Sequence, residues 1–174
     1  MKFLVNGGEK NSRLLQIILL FTLFYVLLLW ITNILIYIER IGFDYISVVE
    51  YYLGSEGSFR NPISYLGLLE ITHIHLFLFS MALLLVNHLT AFLRLHRFLK
   101  LLLILVSFIS GLMDIGSGWL IRYASPTFAY LKMASFILFQ ASFFILAVLS
   151  FFSLDIYKGH RDDRGNRGGG SQIQ

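Results

Sequence analysis

One apolar stretch of the chain carries most of the side chains that could do chemistry. Residues 68–95, LLEITHIHLFLFSMALLLVNHLTAFLRL, are hydrophobic enough to cross a bilayer, yet they contain Glu70, His73, His75, Asn87 and His88. Ionisable groups inside a membrane helix are expensive and usually mark a paired or functional site. Imidazole and carboxylate groups could ligate haem iron, hold another metal ion, or accept protons from a quinol.

The composition indicates that lipid is the solvent of this chain. Hydrophobic residues make up 57% and charged residues 14%, whereas ordinary soluble domains carry roughly 25% charged residues. Cysteine is absent, which excludes disulfides, c-type haem attachment, iron–sulfur ligation and thiolate zinc sites within the chain. No feature indicates a soluble-substrate enzyme, a nucleic-acid binder or an ion channel, and we expect no enzyme activity of the chain on its own.

Four apolar segments predict an all-α integral membrane four-helix bundle. They run over about 14–38, 64–95, 98–123 and 126–157, and each is near the ~20 residues that a bilayer-spanning helix needs. Ser125 and Pro126 supply a cap and a first-turn proline for the fourth segment. The transmembrane domain is therefore 1–157, and the glycine-rich polar tail 158–174 is expected to be disordered.

Basic residues set the predicted orientation. They precede the first segment, flank the turn between the second and third, and follow the fourth (Lys2, Lys10, Arg13, Arg94, Arg97, Lys100, Lys158, Arg161, Arg164 and Arg167). The positive-inside rule then places both termini in the cytoplasm. The loop 39–61 is extracytoplasmic, and within it DYISVVEYYLG predicts a short interfacial helix closed by Gly54. We expect a multi-pass protein of a bacterial inner membrane.

Helical periodicity gathers the polar residues into two stripes. Successive helix residues turn by roughly 100°, which groups one set on the second segment (Glu70, His73, Ser80, Met81, Asn87 and His88) and leaves His75 on the opposite side. The third segment carries a stripe of small or polar residues (Ser107, Ser110, Gly111, Asp114, Ser117 and Gly118). The simplest packing turns the two stripes toward each other, so that Glu70, His73 and Asp114 face the protein interior.

Depth along the helices concentrates the candidates near the outer surface. The antiparallel second and third segments bring one set to similar depth (Glu70, His73, His75, Asp114, Trp119 and Arg122), together with Asn33, Lys132 and Met133 from the other two. His88 belongs to the cytoplasmic half, about 22 Å along the axis from His73 at 1.5 Å per residue.

Haem b is the first candidate cofactor. All the intramembrane histidines are on the second segment, so one chain cannot build a bis-histidine site across its own bundle. His73 could ligate the iron together with Met133, with its counterpart in a dimer, or with a histidine of another subunit. The side chains of His73 and His75 leave the helix roughly 200° apart, so one of them binds a cofactor while the other contacts something else. The polar stripe favours His73, expected to meet Asp114.

A quinol site and a metal site are the other candidates. Glu70 and His73 could accept the protons of a quinol, between aromatic walls supplied by Phe77, Trp119 and Tyr123. The spacing Glu70-x-x-His73 is typical of four-helix di-metal proteins, but those need the motif twice, and here it occurs once.

Each feature also has a purely structural interpretation. Glu70, Asp114 and Arg122 could form a buried ion-pair network that fixes helix register. The serine and glycine stripe could serve only close helix packing. His75 could lie at the lipid headgroups or meet a partner subunit.

Two stretches carry a resemblance to a known group of proteins. FRNPISYLGLLEITHIHLFLFSMALLLVNHL, followed by DIGSGWLIRYASPTFAYL, resembles small uncharacterised four-helix membrane proteins of bacteria, with the pattern LLE-x-TH-x-HLF and then D-x-x-S-x-WLIRY-x-SP. The resemblance covers about 44–148. It implies association with respiratory cytochromes and one functional unit made of Glu70, His73, His75, Asp114, Trp119, Arg122 and Pro126.

The sequence therefore predicts a small integral membrane subunit of a respiratory electron-transfer assembly that places a haem b or a quinone near the extracytoplasmic face. Its expected contacts are membrane lipid, other membrane or extracytoplasmic cytochrome subunits, or a second copy in a homodimer. The rival hypothesis is a non-catalytic membrane anchor or assembly subunit whose polar cluster only fixes helix packing.

Overall fold

The computed structural model describes residues 9–57, 59–91, 93 and 95–168, with side chains described for 14, 16–57, 59–91, 93 and 95–151. Five helices follow one another: α1 (Glu9–Arg40), α2 (Tyr45–Leu53), α3 (Tyr65–Ala91), α4 (Arg97–Tyr123) and α5 (Ala129–Gly168), with a 3-10 turn at Pro126–Phe128. The predicted all-α four-helix membrane bundle is confirmed.

The four long helices have the length and surface of membrane spans. Candidate spans cover Gln16–Arg40, Tyr65–Ala91, Arg97–Tyr123 and Pro126–Phe151, and each exceeds the ~20 residues that cross a ~30 Å hydrocarbon core. Large apolar side chains are exposed on the outside of every span (Phe21, Phe77, Leu112 and Ile137 among them). Such a surface is stable in lipid rather than in water.

Helix α5 lies at the centre of the bundle. It packs most extensively against α4 and also contacts α1, α2 and α3. An apolar cluster joins α1, α3 and α5 near the middle of the spans (Val26, Ala82, Leu83, Val86, Phe139, Phe143 and Leu146). The indole of Trp30 on α1 stacks on Phe144 at a centroid distance of 5.0 Å. Interlocking of these large side chains holds α1 against the rest of the bundle.

The short helix α2 covers one end of the bundle. A second apolar cluster forms there from residues of α2, α3, α4 and α5 (Val48, Tyr52, Leu68, Ile121 and Ala129). Val48 and Tyr52 are buried on the inner side of α2, whereas Ile46 is exposed. This amphipathic arrangement is that of a helix lying on the end of a bundle rather than crossing the membrane.

Local sequence signals begin and end α2 as predicted. Asp44 caps its first turn by accepting a 2.9 Å hydrogen bond from the Ser47 backbone N–H and another from the Ser47 hydroxyl. Hydrogen bonds from Ser47 hold the pKa of the Asp44 carboxyl below its usual range. Gly54 ends the helix at φ 81°, where an added Cβ would lie 2.5 Å from the Arg60 carbonyl oxygen. Glycine is required there for both reasons.

The helix ends differ from the prediction most at three places, of which the first is the start of α1 at Glu9 rather than at about residue 14. Helix α3 ends at Ala91, earlier than the predicted end at residue 95. The Ala91 carbonyl accepts a 2.9 Å hydrogen bond from Lys100 Nζ across the turn, and this contact stabilises the earlier end. The backbone of α5 continues to Gly168, into the tail expected to be disordered, because extending an established helix gains one hydrogen bond per residue. Residues 169–174, the rest of that tail, lie outside the described residues.

Candidate functional site

The small-residue stripe of α4 is buried, as predicted, but it faces different neighbours. Ser107, Ser110, Gly111, Asp114, Ser117 and Gly118 are all buried. A Cβ added to Gly111 would lie 3.1 Å from the Phe139 ring on α5, and one added to Gly118 would lie 2.9 Å from the Tyr52 ring on α2. The expectation that this stripe meets the polar stripe of α3 is therefore wrong. Its small residues instead admit aromatic rings from α5, α2 and the apolar side of α3, the last from Phe79, which would lie 3.6 Å from the same Gly111 Cβ.

A buried ion pair joins α4 and α5 at the end covered by α2. Lys132 Nζ lies 2.8 Å from Asp114 Oδ1, and the two side chains are 8% and 5% exposed. The same ammonium group donates a 2.9 Å hydrogen bond to the Asp114 carbonyl oxygen. The expectation that His73 meets Asp114 is wrong, because Lys132 occupies that position and balances the carboxylate charge.

Two tyrosines enclose this ion pair. Tyr52 is buried against Gly118, and burial raises the pKa of its hydroxyl above the usual value although the charge of Lys132 opposes the shift. The ring centroid of Tyr37 lies 5.9 Å from Lys132 Nζ, and Tyr37 stacks on Phe136 at 3.6 Å. Aromatic rings and the opposite charge thus surround the ammonium group. A closed, paired arrangement of this kind fixes how α2, α4 and α5 pack.

The predicted polar stripe of α3 points outward over most of its length, but Asn87, which was part of the prediction, is buried. Glu70, His73 and His88 are exposed, and Phe77 and Met81 on the same side are 61% and 54% exposed. We call these five residues the α3 polar face. The expectation that Glu70 and His73 face the interior is wrong, since α3 buries its larger apolar side, with Leu68, Leu83 and Val86, against the bundle. Periodicity groups residues on one side of a helix without saying which side is buried.

His75 is the histidine that faces the interior. It is half-buried, its Nδ1 lies 2.7 Å from the Ile71 carbonyl oxygen, and its ring meets Phe79 edge-on at 5.3 Å. Because a carbonyl can only accept, Nδ1 is the donor of this hydrogen bond. The expected divergence of His73 and His75 is confirmed, and the named contacts of His75, with Ile71 and Phe79, both lie within α3.

A small cleft with almost wholly apolar walls adjoins His75 between α1, α3 and α5. Its volume is about 40 Å³. Its lining residues come from all three helices (Leu29, Trp30, Asn33, His75, Leu78, Phe79, Ala82, Phe139, Gln140 and Phe143). Gln140 is 6% exposed, and its amide nitrogen and oxygen have no hydrogen-bond partner among the described residues. We call this the His75–Gln140 cleft.

The other predicted site residues make separate local contacts. Trp119 Nε1 donates a 2.8 Å hydrogen bond to Thr72 Oγ1 of α3. Arg122 Nε donates at 3.0 Å to the Ile63 carbonyl oxygen, rather than pairing with a carboxylate. Met133 packs into the apolar cluster beneath α2, whereas His73 is exposed, so this fold does not assemble the His73–Met133 ligand pair. Within the described part of the chain, no group of three or more His, Asp or Glu residues could hold a metal ion.

Sequence reasoning missed the roles of Lys132 and Gln140. Lys132 was noted at the right depth but not as the partner of Asp114. Buried residues recur every three or four positions along α5 (Lys132, Phe136, Phe139, Gln140, Phe143, Leu146 and Ser150). The sequence groups these residues on one side of the helix but does not show that this side is buried, so it did not indicate that the base and the amide need partners.

A family model described as a transmembrane helical domain (Aq_1264_TM) matches residues 42–161, so the chain belongs to this family. The match confirms the part of the resemblance that concerns a small membrane protein family, and the link to respiratory cytochromes stays a prediction. No curated protein and no solved structure matches the chain.

Proposed function

From membership in a family of transmembrane helical domains, we propose that the chain is a small integral membrane subunit of a respiratory electron-transfer assembly. In this proposal the α3 polar face docks against a second membrane subunit, and His73 contributes to a haem b site at the shared interface. One observation carries the proposal: Glu70 and His73 are exposed within a membrane span of the single chain.

The energetics of the bilayer favour a partner at this face. A charged side chain at the centre of a membrane helix costs at least ~2.5–3.5 kcal/mol on insertion scales. Glu70 and His73 lie five and eight residues from the start of α3 at Tyr65, so the cost at their depth is lower than at the centre, although both are inside the candidate span. No ion pair among the described residues reaches Glu70 or His73. A neighbouring protein surface with polar groups at the same depth would supply partners.

The exposed imidazole of His73 suits a ligand shared between subunits. A bis-histidine site needs a second ring at the same depth on another helix, and the intramembrane histidines of this chain all lie on α3. A histidine of the second subunit would complete the pair. Haem bound there would supply one-electron exchange. The carboxylate of Glu70, one turn from His73, would provide a polar contact at the same interface.

A non-catalytic anchor or assembly subunit is the second candidate. The observation that favours it is the Asp114–Lys132 ion pair, in which the buried charges of α4 and α5 are already balanced. In that case the α3 polar face binds its partner without a cofactor.

Photo-cross-linking in the native membrane tests the docking step. A photoreactive amino acid at position 77 on the α3 polar face should give a cross-link to a second membrane protein. The same probe at position 112 is the matched control, because Phe77 and Leu112 are 61% and 60% exposed on different helices. A cross-link to a second copy of the chain would show that the partner at this face is the chain itself, in a homodimer. Lipid adducts alone at position 77 would refute docking at this face.

Purification of the cross-linked assembly tests the cofactor step. An absorption spectrum and a pyridine haemochrome assay should detect haem b, and His73→Ala should abolish it while His96→Ala should not. Retention of haem in His73→Ala but not in His75→Ala would assign the ligand to His75. A colourless complex with an intact cross-link would favour the anchor.

A further inference from the structure

The exposed side of α3 carries residues at the spacing of a two-helix contact. Exposed positions follow one another at alternating intervals of four and three residues (Leu66, Glu70, His73, Phe77, Ser80 and Leu84). This alternation is the heptad spacing that keeps one side of a helix against a parallel partner helix. We call these six residues the α3 heptad, and it shares Glu70, His73 and Phe77 with the α3 polar face. It extends about 27 Å at 1.5 Å per residue, close to the ~30 Å of the hydrocarbon core.

The chemistry of the α3 heptad, rather than its spacing, separates it from a surface that lipid alone covers. On α4 the exposed residues also recur every three or four positions, but they are apolar (Leu101, Leu105, Phe108 and Leu112). Among the described side chains of the four spans, an exposed acid, base or histidine beyond the first and last turns occurs only on α3, at Glu70 and His73. Lipid offers neither group a hydrogen-bond partner.

Glu70 and His73 are complementary to each other. A carboxylate accepts hydrogen bonds, and an imidazole carries at least one N–H donor in every protonation state. The two residues lie one helical turn apart, and no ion pair among the described residues joins them within the single chain. A surface with an acceptor and a donor at neighbouring positions satisfies both when it meets its own copy, because in a two-fold interface each residue contacts the other's counterpart.

The membrane fixes how two copies can meet. All copies of the chain insert with the same orientation, so two α3 helices side by side are parallel. A two-fold axis along the membrane normal brings equal residue numbers to equal depth, and Glu70 of each copy then lies within one turn of His73 of the other. Ser80, whose hydroxyl already donates to the Phe77 carbonyl oxygen at 2.9 Å, is a small residue at which two backbones can come close.

We propose that a second copy of this chain binds at the α3 heptad, in a parallel two-fold dimer in which Glu70 of each copy accepts a hydrogen bond from His73 of the other. The proposal rests on the docking step of the proposed function and names the partner at that face. Close packing and interhelical hydrogen bonds drive the association of single spans in lipid. The second copy also brings a second His73 to the same depth, as the proposed haem site requires.

Disulfide cross-linking tests the arrangement, because the chain contains no cysteine and single cysteines can be introduced one at a time. A disulfide forms only where two Cα atoms come within about 7 Å. In the full-length protein in liposomes, mild oxidation should join two copies through Ser80→Cys or Leu84→Cys. Ile74→Cys is the matched control, since Ile74 and Leu84 are 54% and 61% exposed on the same helix but leave it roughly 80° apart. The control should give at least tenfold less dimer, also when the lipid-to-protein ratio is raised.

Energy transfer between labelled copies in the same liposomes tests the Glu70–His73 hydrogen bonds. Glu70→Leu and His73→Leu each remove both reciprocal bonds, so each variant alone should associate about tenfold more weakly than the unmodified chain. An equal mixture of the two variants restores one Glu70–His73 bond in each mixed dimer, and mixed dimers should exceed the dimers of either variant at least threefold. Ile74→Leu, the control on the same helix, should leave association unchanged.

Equal disulfide yields at positions 74 and 84, or no excess of mixed dimers, overturn the proposal. The photoreactive probe at position 77 distinguishes this failure from that of the proposed function. If that probe captures a different membrane protein in the native membrane while the cysteine variants give no dimer, docking at the α3 polar face stands and the second copy is refuted. If neither experiment gives a product, the docking step itself is refuted.

Discussion

Replacement of Lys132 by methionine would remove one charge of the buried ion pair and keep most of the side-chain volume. Asp114, which is 5% exposed at its side chain, would be left as an uncompensated carboxylate. Removal of one partner from a buried pair typically lowers the free energy of unfolding by ~3–5 kcal/mol. The loss has a ceiling, because the carboxyl can bind a proton instead, and neutralising an ordinary aspartic acid at pH 7 costs about 4 kcal/mol. We therefore expect Lys132→Met to lose about 3–4 kcal/mol.

The double variant Asp114→Asn with Lys132→Met separates charge from packing. It removes both charges, so the unfavourable isolated carboxylate is absent, and replacement of a complete buried pair is often near neutral. We expect the double variant to recover at least ~2 kcal/mol relative to Lys132→Met. The single variant Asp114→Asn completes the cycle and gives the coupling free energy of the two side chains, which should be that of residues in contact.

Reversible unfolding in mixed micelles with a rising fraction of SDS, followed by far-ultraviolet circular dichroism, measures these differences. The matched control is Lys100→Met, in which the lost group is a half-exposed ammonium bonded to one backbone carbonyl. Loss of that single bond should lower the free energy of unfolding by ~0.5–1.5 kcal/mol. If Lys132→Met loses no more than Lys100→Met, or if the double variant is no better than the single one, the ion pair does not hold α4 to α5.

Two further predictions concern packing and orientation. Gly118→Ala should lower the free energy of unfolding by ~1–3 kcal/mol, since its Cβ would lie 2.9 Å from the buried Tyr52 ring. Gly116→Ala, with no atom within 4 Å of its Cβ, should instead raise the free energy of unfolding by ~0.5–1 kcal/mol. The same SDS titration measures both variants. A reporter active only outside the cytoplasm should work when fused at Gly57 and fail at Gly168, and activity at Gly168 would reverse the predicted orientation.

The features that the sequence predicted well depend on local or single-helix information. Asp44 and Gly54 bound α2 through contacts within a few residues, and their residue types are the usual ones for those caps. The buried stripe of α4 could be predicted because small and polar residues recur at helical spacing among large apolar ones. Both signals are independent of which helices become neighbours.

The direction of the α3 polar face could not be predicted in this way. The side of α3 with Glu70 and His73 and the side with Leu68 and Leu83 are both apolar enough for either lipid or a core. Which side of α3 packs against the bundle depends on the side chains of α5. Lys132 of α5 pairs with Asp114, and a phenylalanine ring of α5 stacks on Phe79 of α3. The His75–Gln140 cleft likewise forms only when α1, α3 and α5 meet, so no single helix indicates it.

Asp114 and Glu70, acids of two different spans, show that the fold and the α3 polar face have different requirements. Asp114 is neutralised inside the chain by Lys132, and the apolar clusters that hold α3 in place use the side of that helix opposite Glu70. The described contacts of the single chain are therefore complete without Glu70 or His73. In lipid both residues are less favourable than the leucines and phenylalanines beside them. The described packing of the bundle does not use either residue, and this is the observation on which the proposed docking at the α3 polar face depends.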